Sequence, residues 1–172
     1  NWNTEIGILN FLPGGAHNVA NDKTKHLVRK WVPRVLRATA PRNSTNMDWI
    51  VFRVAELYLN YAEALNEYYE TPPKEAFDAV LKVRERSGMP GFPSTLNKEQ
   101  FREKLRRERA VELAYEDHRF WDIRRWLIAD DEGVMKGAMY GLQLSAVTGA
   151  PGKVHYKPYV FENRLWSDRS YL

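Results

Sequence analysis

The run RRERAVELAYEDHRFWDIRRW, from Arg106 to Trp126, constrains this chain more than any other stretch. Charged and large apolar side chains alternate through it almost without a gap. Arg109 and Glu112 stand three residues apart, as do Arg119 and Asp122, so on a helix each pair shares a face. Glu108 and Glu112, one turn apart, repel each other unless arginines lie between them, and Arg106, Arg107 and Arg109 are near enough in sequence to supply that charge. Phe120, Trp121 and Trp126 offer rings on which a guanidinium stacks. Two readings fit this order. One is a buried ion-pair lattice of Arg106, Arg109, Glu112, Arg119 and Asp122; the other is an active site.

Acid–base chemistry weighs the two. As a glycosidase, the segment would use Glu112 and Asp122 as acid and base. Glycoside hydrolysis needs two carboxyls ~5–9.5 Å apart, one of them with a raised pKa. Dense arginine lowers both values and keeps both groups ionised. The lattice is the favoured reading, a clamp between one helix and the next, and no catalytic residue is assigned. His17, His26, His118 and His155 show no metal-ligand spacing, and His118 reads as a hydrogen-bonded helix-start residue. Cysteine is absent, so thiolate metal sites and disulfides are excluded. No nucleophile-elbow, phosphate-loop or dinucleotide motif occurs, and neither metal nor cofactor is expected.

The helical signal extends upstream. Val54, Leu57, Tyr58, Tyr61, Ala62 and Leu65 form one apolar stripe at helical spacing. Ala62 and Ala64 are small enough for another helix to come close. Thr71 then offers an N-cap with Pro72 at the first helical position. Ala76, Phe77, Val80, Leu81 and Val83 mark a second helix, with Gly88 placed to end it and Pro90 to prevent its continuation. Two helices so joined pack antiparallel, at about the length of one tetratricopeptide unit. Asn97 and Gln100 pair as a capping box for a third helix, from Lys98 to about Tyr115. After a break at Glu116-Asp117, a short fourth helix carries Phe120, Ile123 and Leu127 on one face.

The flanks are plainer. Residues 1–46 read as a loop-rich lead-in, with Lys30-Trp31-Val32 a short strand. Residues 47–127 hold the helical motifs. Residues 128–172 read as a loop-rich tail punctuated by glycine, with strand character from Val154 to Phe161. The fold class is mostly α, built of tetratricopeptide-like helical hairpins. A chain of this kind with one such hairpin requires further helical partners to cover both faces.

Net charge is +4, concentrated in residues 21–42, where seven lysines and arginines face Asp22 alone. The remainder is slightly acidic, which argues against nucleic-acid binding. No apolar run approaches the ~18 residues of a membrane span. The aromatic content of 13% exceeds the needs of a core of this size, so some rings are expected to face a ligand.

Three segments resemble a known family. FRVAELYLNYAEALNE, Phe52 to Glu67, is similar to the FRxAExxLxYAEALNE helix of the SusD/RagB family. VRERSGMP, Val83 to Pro90, is similar to its VRxRAGMP turn, and Arg106 to Trp126 to its RRERxxELAFEGHRFWDLRRW segment. Asp117 departs from the usual glycine, which implies a less sharp helix break. The resemblance covers about residues 28–172 and implies that 1–172 is the C-terminal portion of a single SusD/RagB-like domain.

It implies a SusD-like α–α superhelix and an outer-membrane lipoprotein exposed at the cell surface, held by an N-terminal lipid anchor that is absent from this chain. It implies no enzyme activity and no cofactor. The implied partners are a glycan, or in some branches a peptide, and a SusC-like TonB-dependent transporter. Ligand contacts are expected in loops, with Trp2, Asn3 and Trp31 leading. Trp166 reads either as a contact or as packing, and Trp49, Trp121 and Trp126 as packed. A tetratricopeptide-type protein-interaction module is the alternative from another class.

Overall fold

The structure, a computed structural model, describes residues 23–24, 30–31, 50–149 and 153–167. Trp2, Asn3, Trp49 and Val32 lie outside them. Among the described residues there are four helices, α1 (Val54–Tyr68), α2 (Lys74–Glu85), α3 (Lys98–Glu112) and α4 (His118–Arg125). A two-stranded antiparallel sheet follows, β1 (Gly137–Ala146) and β2 (Val154–Arg164). The chain divides into two compact units, Trp49–Asp122 and Asn1–Asp48 with Ile123–Leu172.

The core of the helical unit joins Leu59 and Ala62 of α1, Ala76, Ala79, Val80 and Val83 of α2, and Phe101 and Leu105 of α3. Phe101 is fully buried and meets Phe77 and Phe92 edge to face, at 4.9 and 5.6 Å between ring centres. The alanines let the helices come close, and the aromatic cluster fills the end they leave open.

Helix boundaries follow from local chemistry. Asn97 accepts from the Gln100 N–H at 2.9 Å while its own N–H donates to the Gln100 side chain at 3.2 Å, so the capping box forms as expected. At the end of α2, the N–H of Gly88 donates to the Glu85 carbonyl and that of Met89 to the Arg84 carbonyl. This is a Schellman closure, and Gly88 supplies the positive φ of 69° it requires. The start of α2 differs from expectation. Thr71 does not cap it; Pro73 is the N-cap and Lys74 the first helical residue. The cause is the second proline: Pro73 denies Pro72 the helical region, so the helix begins beyond both.

The buried arc of α1 also differs. Leu59, Ala62 and Asn66 are buried, whereas Val54, Leu57, Tyr58 and Tyr61 of the expected stripe are exposed, and Ala64 with them. Helix α1 is apolar on two sides. Periodicity detects both, but only the arc with a small residue at its centre and Asn66 at its end meets α2 and α3. The Asn66 amide donates to the Lys98 carbonyl at 3.3 Å, fixing where α3 starts.

Helix α3 stops at Glu112, one turn before Tyr115. Tyr115 and Asp117 both take left-handed backbone, with φ of 62° and 63°. The break before α4 is therefore as sharp as a glycine would make it. A short polar side chain tolerates this region better than a bulky one.

The tail holds more regular structure than its sequence announces. Residues 137–146 form a strand rather than a loop, paired with β2 where strand character was expected, and Gly137 and Gly141 lie within β1. Gly141 has a steric reason. A Cβ there would stand 2.3 Å from the Lys23 carbonyl oxygen, which accepts the Leu142 N–H at 3.0 Å. Glycine lets a further backbone segment dock at the edge of β1. Lys30 and Trp31, expected in a strand, lie in a turn.

Candidate functional site

The charged segment forms a lattice across four helices. Within the helical unit, Arg109 donates to Asp122 at 2.7 Å and to the Asn60 side chain at 2.5 Å. Both members of the Arg109–Asp122 pair are nearly sealed from solvent. Glu112 accepts from Arg53 at 2.6 Å and from Arg86 at 2.8 Å. Arg53 also donates to Glu116 at 2.7 Å and to the Glu112 main-chain carbonyl at 2.6 Å. That carbonyl stands at the C-terminal end of α3, so Arg53 caps the helix as well as pairing its charge. Glu108 is met by Arg84, whose guanidinium also lies over the Phe92 ring, 5.2 Å from its centre.

The repulsion between Glu108 and Glu112 is thus relieved from outside α3. Arginines at the start of α1 and the end of α2 supply the charge, Arg53 and Arg86 at Glu112 and Arg84 at Glu108. Arg106 approaches Glu103 at 4.0 Å on its own helix. The described ion pair of Asp122 is with Arg109, on α3, rather than with Arg119 on its own helix. Burial lowers the Arg119 pKa, and the more distant charge of Asp122 opposes this.

The electrostatics suit a clamp. Burial lowers the Arg53 pKa, but the hydrogen bonds and charges of Glu116 and Glu112 outweigh it and leave the value above its usual range. Glu112 and Asp122 each hold a guanidinium, so carboxylate oxygens of both are committed to hydrogen bonds within the lattice. His118 opens α4 with Nε2 3.6 Å from a Glu56 carboxylate oxygen, tying α4 to α1. Among the described residues no group of three histidine, aspartate or glutamate side chains is placed to hold a metal ion.

Sequence spacing named Arg109, Glu112 and Asp122 but missed Arg53, Asn60, Arg84, Arg86 and Glu116. The Arg53–Glu112 contact joins residues 59 apart and the Arg109–Asn60 contact residues 49 apart, beyond any i, i+4 rule. A signal was nonetheless present: the missed arginines all stand inside the motif segments at Phe52 and Val83.

The rings lie elsewhere. Trp31 is half-buried. Trp121, expected to be packed, is 66% exposed and meets Phe120 edge to face at 5.0 Å. The pull of Arg109 on Asp122 turns that side of α4 inward and leaves Trp121 outside. Trp126 is half-buried under Arg125 at 4.6 Å, and Trp166 is half-buried with Arg124 5.3 Å from its ring centre.

The charged motifs tie the helices of this unit to one another. Comparison with known proteins names the kind of chain. The SusD family profile matches residues 5–165, and the chain belongs to the SusD family. A SusD-like protein of Formosa agariphila is 40% identical over 95 residues, covering 54% of this chain and 18% of its own. A second from the same organism is 34% identical over 84 residues, covering 44% of this chain and 16% of its own. The crystal structure of a SusD-like protein from Bacteroides fragilis aligns with a TM-score of 0.61 at 34% identity, over 73% of this chain and 22% of that one. The chain thus spans about a fifth of the length of these relatives.

Proposed function

We propose that the chain is part of a cell-surface nutrient-binding lipoprotein of the outer membrane. It binds an oligosaccharide or polysaccharide and hands it to a SusC-like TonB-dependent transporter. Family membership over residues 5–165 carries the reading. The lattice of Arg53, Arg109, Glu112 and Asp122 supports it as a scaffold, with tetratricopeptide-like hairpins as its units and no catalytic group. No described helix is long and apolar enough to cross a membrane. Trp2, Asn3 and Trp31 remain the proposed ligand contacts in the lead-in.

Titration of the full-length protein with a panel of glycans and peptides tests the reading. Binding of one glycan class, with co-purification of a TonB-dependent transporter, is the expected result. Binding to no glycan would overturn it. The α1–α2 hairpin favours a second reading, a protein-interaction module, which predicts capture of partner chains without any small ligand.

A further inference from the structure

We propose that one face of the β1–β2 ribbon is a stacking platform for a neutral glycan chain, with Tyr140 and Tyr156 as its two rings. The inference rests on the glycan-binding reading above and gives it a location.

Strand register places the residues. Tyr140 pairs with Val160, Leu142 with Pro158, Leu144 with Tyr156 and Ala146 with Val154. Alternation puts all eight on one face, which carries no group charged near neutral pH. The opposite face holds Gln143, Ser145, His155 and Lys157. Tyr140 is 64% exposed and Tyr156 72% exposed, with Val154 and Val160 also open. Rings this open add little to packing, so their presence on an apolar face calls for another account.

Two observations narrow what approaches the ribbon. The Leu142 N–H donates to Lys23 rather than to β2, so at the Leu142–Pro158 rung the main-chain groups of both strands face outward. Pro158 therefore withholds a donor at the middle of the edge of β2 that faces away from β1. An added polypeptide strand would lose its ladder there, which directs a partner to the face instead. A register irregularity between Met139 and Tyr140 marks a bulge beside the first ring. Bulges re-aim side chains at binding sites.

The chemistry of the face selects the ligand. An uncharged apolar surface with two phenol groups suits a molecule that is apolar on its faces and hydroxylated at its edge. Sugar rings are of this kind, and ionic polymers are not. Tyr156 stands opposite Leu144, four residues along the strand from Tyr140, which separates the rings by about 14 Å. One sugar cannot touch both, so the ligand is a chain.

The test uses the full-length protein with Tyr140→Ala, Tyr156→Ala and the double substitution. The probes are neutral α-glucan, β-glucan, mannan and fructan, with their oligosaccharides of increasing length, and polygalacturonate as the charged control. Affinity and melting temperature are read together. Each single substitution is expected to weaken the bound neutral glycan about fivefold, and the double substitution more, with the melting temperature unchanged. Affinity should step up once the oligosaccharide is long enough to bridge both rings. Equal glycan binding by wild type and double variant would overturn the platform and leave the glycan reading standing. A wild type that binds no glycan would overturn both. Loss of binding only together with a lower melting temperature would show that the face packs against protein. Loss of transporter co-purification with glycan binding intact would make it a protein-docking face. Either of these last results overturns the platform.

Discussion

The helical unit and the hairpin solve opposite problems. Around α1 to α4 the protein buries charge: Arg109 and Asp122 are nearly sealed, and Glu112 is held by two arginines. Along β1 and β2 it exposes rings: Tyr140 and Tyr156 are mostly open to solvent. A buried ion pair must be matched on every side, because an unmatched charge costs several kcal/mol, and that requirement writes a dense pattern into the sequence. An open ring face carries no such requirement and leaves a plain one. The most patterned segment is therefore scaffold, and surface chemistry sits where the sequence is quiet.

The largest effect should come from breaking the lattice. Asp122→Asn leaves the Arg109 guanidinium buried with Asn60 but without its carboxylate, and urea denaturation should show a loss of about 3–5 kcal/mol. A loss below 1 kcal/mol would mean that the pair is screened by solvent, and the contrast between the two regions would weaken.

In the hairpin the backbone should matter more than the rings. Gly141→Ala drives a methyl against the Lys23 carbonyl and should cost about 1–3 kcal/mol. Tyr156→Ala should change stability by less than about 0.5 kcal/mol. If the two costs are reversed in calorimetry, the exposed face is a packing surface.

Between these lies a stabilising change. Asp117 holds a φ of 63°, so Asp117→Gly should raise stability by about 0.5–1 kcal/mol, read as a higher melting temperature. A fall instead would mean that the carboxylate makes a contact worth more than the strain.

The smallest effect is at the surface of the lattice. Arg102 grips Glu67 through two hydrogen bonds, at 2.7 and 2.6 Å, and holds its carboxyl below the usual range against the opposing effect of burial. A lowered folded-state value stabilises above the unfolded pKa of ~4.3 and is lost as pH falls through the folded value. Glu67 is substantially exposed, so the contribution is a few tenths of a kcal/mol. Glu67→Gln should lower stability at neutral pH by that amount and leave it nearly unchanged well below the folded value, so the acid limb flattens.

What the sequence made legible follows the range of each interaction. The capping box at Asn97, the closure at Gly88 and the break near Asp117 depend on neighbours a few residues away, and all could be read. The fold class was legible through the three motif segments. Arg53 reaching Glu112 depends on how α1 meets α3, and no local rule contains that. The same holds for the buried arc of α1, where two apolar sides competed and tertiary packing chose. The second strand was legible from Val154 to Phe161, but β1 was missed because glycines at 137 and 141 read as loop punctuation, although Leu142, Gln143, Leu144 and Ser145 alternate as a strand should. The Lys23 carbonyl that demands Gly141 is more than a hundred residues away in sequence.

The central claim is that the charged segment holds the protein together and does no chemistry. Glu112→Gln tests it most directly, measured by denaturation alongside hydrolysis of the panel polysaccharides. Arg53 and Arg86 would be left under-paired, so stability should fall by about 1–3 kcal/mol while neither the wild type nor the variant cleaves any glycan. A wild type that hydrolyses a glycan, with a Glu112→Gln variant that is equally stable but inactive, would contradict it.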